Sequence, residues 1–569
     1  MDDSTGAPFD LLITGATVID GSGSEGFPAD VGVMGDRLRV LPRPADEGAG
    51  GSSGDPPGGS LGDPARGPAG GAAPARVIDA TGMVVTPGFI DLHSHSGLMI
   101  LADPRHEPKV RQGVTTELIG VDGNSYAPFP RREDLLAFVE LNAGLDGDPA
   151  RDAGLSRRPP LTYDWESVAG HLGRLDRAVA VNIAYLAGNS ALRAGVVGWD
   201  ERPATDGEVA SMRAMLREAM AEGAFGLSSG LDYPPGSYAD TAELAALSEE
   251  AARHDGIYHT HVRYELGDRY LDPFREAIEI GRRAGAPAHI THFYHRATYP
   301  GGPEPMLALV DEARARGLDV TYDSYPYEWS STRLLIEVPG WAQSGGPDAL
   351  RERLRDPATR KRLTAEIGER WAASDIDVPA DIRLGNFRAP DHRRWEGLTL
   401  AAVAEEFGDE PAEVMLELLL MEGLHLNEVR SGPAPASLPA FIVHPVGMVG
   451  TDSVFLGERP SPRTYGSYPR ILGEFVRDRG LLPLPEAIRK MTGAPAARLG
   501  LRERGLVRDG FFADLVVFDP RRVRALATYE EPRRFPEGIE HVIVNGTLVV
   551  ESGRHTGALP GRALRRGGP

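Results

Sequence analysis

The stretch GFIDLHSHSG, Gly88 to Gly97, decides how the rest of the chain is read. The run Phe89-Ile90-Asp91-Leu92 has the look of a buried strand, and it stops abruptly at two histidines separated by one serine. Positions two apart on a strand face the same side, so His93 and His95 point the same way from the strand's end. That placement suits one metal ion gripped by two imidazoles.

Downstream, the chain alternates helix and strand. Thr205 with Glu208 forms a capping-box pattern opening DGEVASMRAMLREAMAEG, where Val209, Met212, Leu216 and Met220 share a face. Strand-like AFGLSSGL follows. Asp240 with Glu243 opens a second helix that stops near Gly256, before the strand IYHTH. PFREAIEIGRRAG then leads to PAHITH, and PMLALVDEARARG to LDVTYDSY. This repeating order predicts parallel βα units. An acid-rich, helix-like segment at about 341–430 interrupts the rhythm, which returns at PVGMVGTDS.

The polar residues of the repeat fall where strands stop. His93 and His95 end one strand, His261 ends IYHTH, His292 ends PAHITH, and Asp452 ends GMVGTD. In a parallel barrel the C-terminal strand ends form the mouth that carries chemistry. A lone histidine at such a place is ordinarily a hydrogen-bonded core residue. Five such groups at the ends of four elements of one repeat point instead to a metal centre. Imidazole and carboxylate donors without thiolate fit zinc, with iron or manganese as alternatives.

The two ends of the chain read differently from its middle. DLLITGATVID and DVGVMGDRLRVL near the start, and ADLVVFDP and IEHVIVNGTLVVESG near the end, read as short strands with Gly-Asp and Asn-Gly turns. Together they suggest one small β unit built from both termini, residues 1–85 and 505–569 around a central 86–504. Residues 42–76 are a Gly/Pro/Ala/Ser stretch unable to bury anything, and are expected to be a disordered loop.

Composition narrows the function classes. The chain has 569 residues, 41% hydrophobic and 25% charged, with a formal net charge of −21. That balance argues against nucleic-acid and anionic-membrane partners, which need basic patches. With no cysteine, disulfides, zinc-thiolate sites and a cysteine nucleophile are excluded. The N-terminus MDDSTGAPFD lacks a basic-then-apolar secretion signal, and no apolar run approaches the ~20 residues of a membrane span. A cytoplasmic location is expected.

GFIDLHSHSG followed by QGVTTELIG resembles the amidohydrolase superfamily, and further stretches narrow the resemblance to its D-aminoacylase branch, the N-acyl-D-amino-acid deacylases. Those stretches are GAFGLSSGLDYPPGSYADTAEL, YHTHVR, SYPYEWSST, VPGWAQSGG with RLRDPATRKRL, the long run from RTYGSYPRILGEF to GAPAARLGL, and the tail TGALPGRALR. They extend from about residue 8 to 566, and as an ordered set they are highly specific. The resemblance implies a (β/α)8 TIM-like barrel, a small β-sandwich from both chain ends, and an inserted lid-like segment at about 341–430. It also implies one or two divalent ions, Zn2+ foremost, held by His93 and His95 on one side and His261 and His292 on the other. Asp452 takes the part of catalytic acid/base and metal ligand. Tyr233, Tyr325 and Ser331 are the family-like substrate contacts, and the substrate is a small N-acylated molecule.

Two departures stand out. Where the family usually reads Gly-Asn-Cys-Gly, this chain has GVDG, so Asp122 is expected as a metal ligand able to bridge two ions. Where the family usually places a lysine two residues after the second histidine, this chain has Tyr294 in ITHFYHR. Tyr294 is kept among the substrate contacts, and Arg263 or Arg333 is expected to replace the lost cation. His259 is the fallback ligand. His289 is expected to face away from His292, and His444 to touch substrate or a ligand. His106, His254, His392 and His555 read as surface or helix-end residues. The expected reaction is hydrolysis of a linear C–N amide bond, with a cyclic amidase of the dihydroorotase or hydantoinase kind and a non-catalytic barrel scaffold as the competing readings.

Overall fold

A computed structural model describes residues 8–44, 73–151, 161–264 and 269–568. Most of the low-complexity stretch, residues 45–72, lies outside the described residues.

Eight parallel strands carry the site. We label them β1 (Phe89–Asp91), β2 (Val114–Ile119), β3 (Asn182–Tyr185, running on through Leu186 into Ala187–Gly188), β4 (Gly226–Gly230), β5 (Ile257–His261), β6 (Ala288–Ile290), β7 (Val320–Ser324) and β8 (Gly447–Val449). Each pairs in parallel with the next, from β1–β2–β3 through β4 to β8. The seam between β8 and β1 is closed just beyond the strand ends. Ser94 and Ser453 form a parallel bridge, Asp452 N–H donates to the His93 carbonyl at 2.8 Å, and His95 N–H donates to the Ser453 carbonyl at 3.1 Å. The cylinder is therefore continuous, and its closing seam sets Asp452 against the His93/His95 pair.

The helices between strands form where their capping and periodicity place them. In the helix Asp206–Ala221, Thr205 and Glu208 make the reciprocal capping box, and Met212, Leu216 and Met220 are buried. Asp240 caps the helix Thr241–Ala252 by accepting from Glu243 N–H at 2.8 Å.

Both termini build one nine-stranded sheet. Strands from Leu11–Val18 to Val84–Pro87 join Leu515–Phe518, Ile539–Val544, Thr547–Glu551 and Arg554–His555. Asn545 and Gly546 take φ of 47° and 79° between two of these strands, the left-handed pair a tight two-residue hairpin needs. Its inward face has its own core, including Ile13, Val31, Val85, Val517 and Ile543.

The segment that interrupts the repeat lies in a unit framed by Trp329–Arg333 and Asn427–Ser431, which pair antiparallel, with Arg383–Gly385 on the other side of the latter. Four helices, Gly346–Arg355, Pro357–Ala372, Leu400–Phe407 and Pro411–Glu422, enclose a separate core around Leu350, Leu363, Ile367, Leu400, Met415 and Leu419. Asp356 and Thr399 cap two of them, and Gly408 and Gly423 end two in left-handed conformation. No described helix is long and apolar enough to cross a membrane.

Candidate metal centre

The strand ends deliver their side chains to one point. Asp122 Oδ2 lies 3.2 Å from His93 Nε2, 3.5 Å from His95 Nε2, 3.5 Å from His261 Nδ1 and 3.6 Å from His292 Nε2. Asp452 Oδ1 is 3.5 Å from His93 Nε2 and 3.3 Å from His95 Nε2. Two donor groups result, His93/His95/Asp122/Asp452 and Asp122/His261/His292, sharing Asp122. All of these residues are buried.

Three of them leave their strands in left-handed backbone: Asp122 at φ 52°, His292 at 34° and Asp452 at 49°. Such conformations cost ~1–3 kcal/mol each away from glycine and cluster at functional sites. At His292 the turn has a visible consequence. His289 faces the barrel interior beside His259, with ring centres 5.0 Å apart, so strand alternation would send His292 outward. The positive φ breaks the alternation and returns the His292 ring to the centre. The expectation that the two face opposite ways therefore does not hold.

Each imidazole presents one nitrogen to the centre, and three of the four have their other nitrogen hydrogen-bonded. His95 Nδ1 is 2.8 Å from Asp146 Oδ1, His261 Nε2 is 3.0 Å from Asp232 Oδ2, and His292 Nδ1 is 2.7 Å from the Tyr264 hydroxyl. His93 Nδ1 faces Asp323 Oδ1 at 3.5 Å. Metal-binding histidines are oriented this way, with the second nitrogen fixing ring and tautomer. Asp323 also accepts from His292 N–H at 2.9 Å and faces His289 Nε2 at 3.0 Å, which ties β6 and β7 to the centre. Gly450 leaves room for this packing: a side chain there would come within 2.7 Å of Asp323 Oδ1 and 2.9 Å of His93 Cβ.

Carboxylates dominate the field around His93 and His261. Burial alone would push the His93 imidazole down, but Asp122, Asp452 and Asp323 reverse that and hold it at about 10. His261 behaves likewise: burial is outweighed by hydrogen bonds to Asp122 and Asp232, and it stands at about 9. Burial opposes ionisation of Asp452, yet Arg463 and the histidines keep it at about 2. Asp122, despite burial, is held well below the usual carboxylate range by His93, His261 and His292. The donor set thus fits a divalent cation in chemistry and in field.

Beside the centre opens a cavity of 210 Å³ whose lining includes Asp122, His261, His292 and Asp452. Tyr233, Tyr294, Tyr325 and Ser331 all line it, as do Arg370, Trp371, Ser374 and Val378 from the inserted unit. Arg263 does not. Its Nε donates to Glu276 Oε2 at 2.9 Å and its Nη atoms to the Ser237 and Ala239 carbonyls, so it pins a loop rather than facing substrate. Arg333 is likewise absent from the lining, donating to the Leu141 carbonyl and Asn142 Oδ1. His444 lies 3.2 Å from Asp311 Oδ1, away from the centre, and His106 is buried against Glu117 rather than exposed. His259 sits deeper in the barrel with Nε2 3.1 Å from the Leu92 carbonyl, in a separate cluster with His289 and Asp323.

Sequence reading missed the partners Asp146, Asp232, Tyr264 and Asp323, and also Arg463 and Arg296. Asp323, near the end of the strand in LDVTYDSY, was the one marked by position.

A family model for the amidohydrolase family matches residues 76–550. The chain belongs to that family. Among its amidohydrolase relatives is a D-aminoacylase from Alcaligenes xylosoxydans xylosoxydans, 36% identical over 570 residues, covering 100% of this chain and 99% of that protein. A crystal structure of D-aminoacylase, described as defining a novel subset of amidohydrolases, superposes with a TM-score of 0.75 at 32% identity over 98% of this chain and 100% of that one. The N-acyl-D-glutamate deacylase of Bordetella bronchiseptica, in complex with zinc and a phosphonate mimic of the tetrahedral intermediate, gives 0.74 at 30% identity over 98% and 100%. The likeness extends over barrel, terminal sheet and inserted unit together.

Proposed function

We propose that this amidohydrolase uses zinc to deacylate N-acyl-D-amino acids. The observation that carries the reading is the convergence of four imidazole nitrogens on Asp122 Oδ2, with Asp452 Oδ1 beside two of them. Of the relatives named above, one is described as a D-aminoacylase and another as an N-acyl-D-glutamate deacylase, and the cavity beside the centre has room and polar walls for a small amide.

His93, His95, Asp122 and Asp452 would hold one ion, and His261 and His292 a second through shared Asp122. A divalent cation so held supplies Lewis acidity, which makes water nucleophilic near neutral pH and polarises an amide carbonyl. The rest falls to side chains. Arg463 Nη2 binds Asp452 Oδ2 at 2.8 Å, leaving Oδ1 turned toward the centre. Ionised at neutral pH, Asp452 accepts the proton of the attacking water at Oδ1 and returns it to the departing nitrogen. Amines leave poorly unless protonated, so the return step is as necessary as the first. Tyr233 is fixed by a 2.9 Å hydrogen bond between its hydroxyl and Thr332 Oγ1, and Ser331 by donation to Asn427 Oδ1 at 3.2 Å. Both present pre-set polar edges to the substrate.

The test is hydrolysis of N-acetyl-D-amino acids, their L enantiomers, and dihydrouracil by the zinc-loaded protein. Turnover confined to the linear D substrates is expected. Turnover of dihydrouracil alone would assign the chain to cyclic amides instead.

A further inference from the structure

Three arginines line the cavity, and two of them share one carboxylate. Arg370 Nη2 lies 2.7 Å from Glu337 Oε2, and Arg430 Nη1 lies 2.6 Å from Glu337 Oε1. Arg296 is the third. Among the described residues no carboxylate lies within ion-pair distance of it, and its Nε is buried without a hydrogen-bond partner. Its guanidinium carbon sits 4.5 Å from the centre of the Tyr264 ring and 5.7 Å from that of Tyr294. The Tyr264 hydroxyl in turn contacts His292 Nδ1 at 2.7 Å, so the cation stands one aromatic ring away from the metal centre.

Asp232 shares the cavity and acts on Arg296 only from beyond contact distance, and a half-buried guanidinium among aromatic rings with no carboxylate in contact is costly to keep unless something negative meets it. The ring faces compensate in part, through cation–π attraction. They also lower the local dielectric, which strengthens the pull on an anion entering the cavity. The planar fork of an arginine matches a carboxylate with two parallel hydrogen bonds. Arg296 lies four residues after His292 on the loop leaving β6, two beyond Tyr294, where the sequence led us to expect a lost lysine.

We propose that Arg296 binds a carboxylate of the substrate and so sets specificity for acidic N-acylated molecules. This rests on the hydrolase reading above. Two carboxylates qualify, the α-carboxylate and a side-chain carboxylate, and the test separates them.

The zinc-loaded protein and its Arg296→Met and Arg296→Lys variants are assayed on N-acetyl-D-leucine, its carboxamide, N-acetyl-D-glutamate and N-acetyl-D-glutamine. Loss of a charge-assisted pair predicts that Arg296→Met raises KM about 10- to 100-fold with kcat little changed, and that Arg296→Lys recovers part of it. If the α-carboxylate is bound, the three acids with a free α-carboxylate suffer and the carboxamide does not. If the side-chain carboxylate is bound, glutamate suffers and glutamine does not. Equal KM in wild type and variant on every acid overturns the proposal, as does an equal rise on acids and carboxamide. Should the wild type hydrolyse none of the four, the hydrolase reading falls. The anchor is then judged by calorimetric binding of N-acetyl-D-leucine and N-acetyl-D-glutamate, where Arg296→Met must weaken at least one acid about tenfold, and no weakening overturns it.

Discussion

Arg463 Nη2 and Asp452 Oδ2 are 2.8 Å apart, and the guanidinium is completely buried, standing 4.4 Å from the Tyr325 ring centre. One carboxylate oxygen is thereby immobilised so that the other faces His93 and His95. Replacing Arg463 with methionine leaves His93, His95 and Asp122 in place but frees Asp452 to rotate. We expect kcat to fall about 10- to 100-fold, the usual effect of losing such an orienting partner, with bound metal unchanged by elemental analysis. A variant with full kcat would show that Asp452 needs no anchor.

Asp452 itself is expected to be the least replaceable residue that is not a histidine. Asp452→Asn keeps the size and tolerates the left-handed backbone, since asparagine populates that region readily. It removes the proton acceptor, and a loss of about 10²- to 10⁴-fold in kcat follows. Steady-state assay at saturating substrate measures this. A loss seen only in KM would assign Asp452 to substrate binding.

Asp122 is shared by both donor groups. Asp122→Asn, at a residue with φ 52°, avoids backbone strain while removing the bridging charge, so bound zinc should fall by at least one ion per chain or by a large factor in affinity. Asp122→Cys restores an anionic donor and should retain more metal than Asp122→Asn. Equal zinc content in all three proteins would make Asp122 a turn residue only.

Glu428 gives the cavity a pH dependence of its own. Burial, against the pull of Arg430 and with the push of Glu337, raises its carboxyl to about 8. Folded protein therefore keeps a proton that unfolded chain has released between pH 4.5 and about 8, so this group lowers stability as pH rises through that window and adds nothing above it. The same ionisation puts negative charge on a wall of the cavity. For an anionic substrate, KM should rise several-fold as pH passes 8 in the wild type and stay flatter in Glu428→Gln. Parallel profiles for the two proteins would remove Glu428 from the argument.

Much of the centre was legible because its chemistry coincides with strand ends. Period-2 alternation placed His93 and His95 together, and the repeat placed His261, His292 and Asp452 at the same rim. The closure bringing β1 against β8, which puts Asp452 N–H on the His93 carbonyl, is a contact across some 360 residues and has no local sign. Side-chain direction was less legible. Arg263 sits two residues past His261, as a rim residue should, but Glu276 on the following helix draws it outward. His292 turns in only because its φ is positive, which composition does not announce. Tyr264 and Asp232 come from loops after β5 and β4 whose paths follow from packing rather than pattern. Lys109 shows the same limit: it is buried and bound to Asp91, Thr451 and Ser453, linking the ends of β1 and β8 beneath the centre, and no spacing rule marks it.

The most direct test is elemental analysis of the protein after zinc reconstitution, beside a variant in which His93 and His95 are both asparagine. One or two zinc ions per wild-type chain are expected, matching the two donor groups, with at least one lost from the variant together with all amidase activity. A wild type that binds no zinc, iron or manganese, or a variant that keeps both metal and activity, would contradict the convergence on which the account stands.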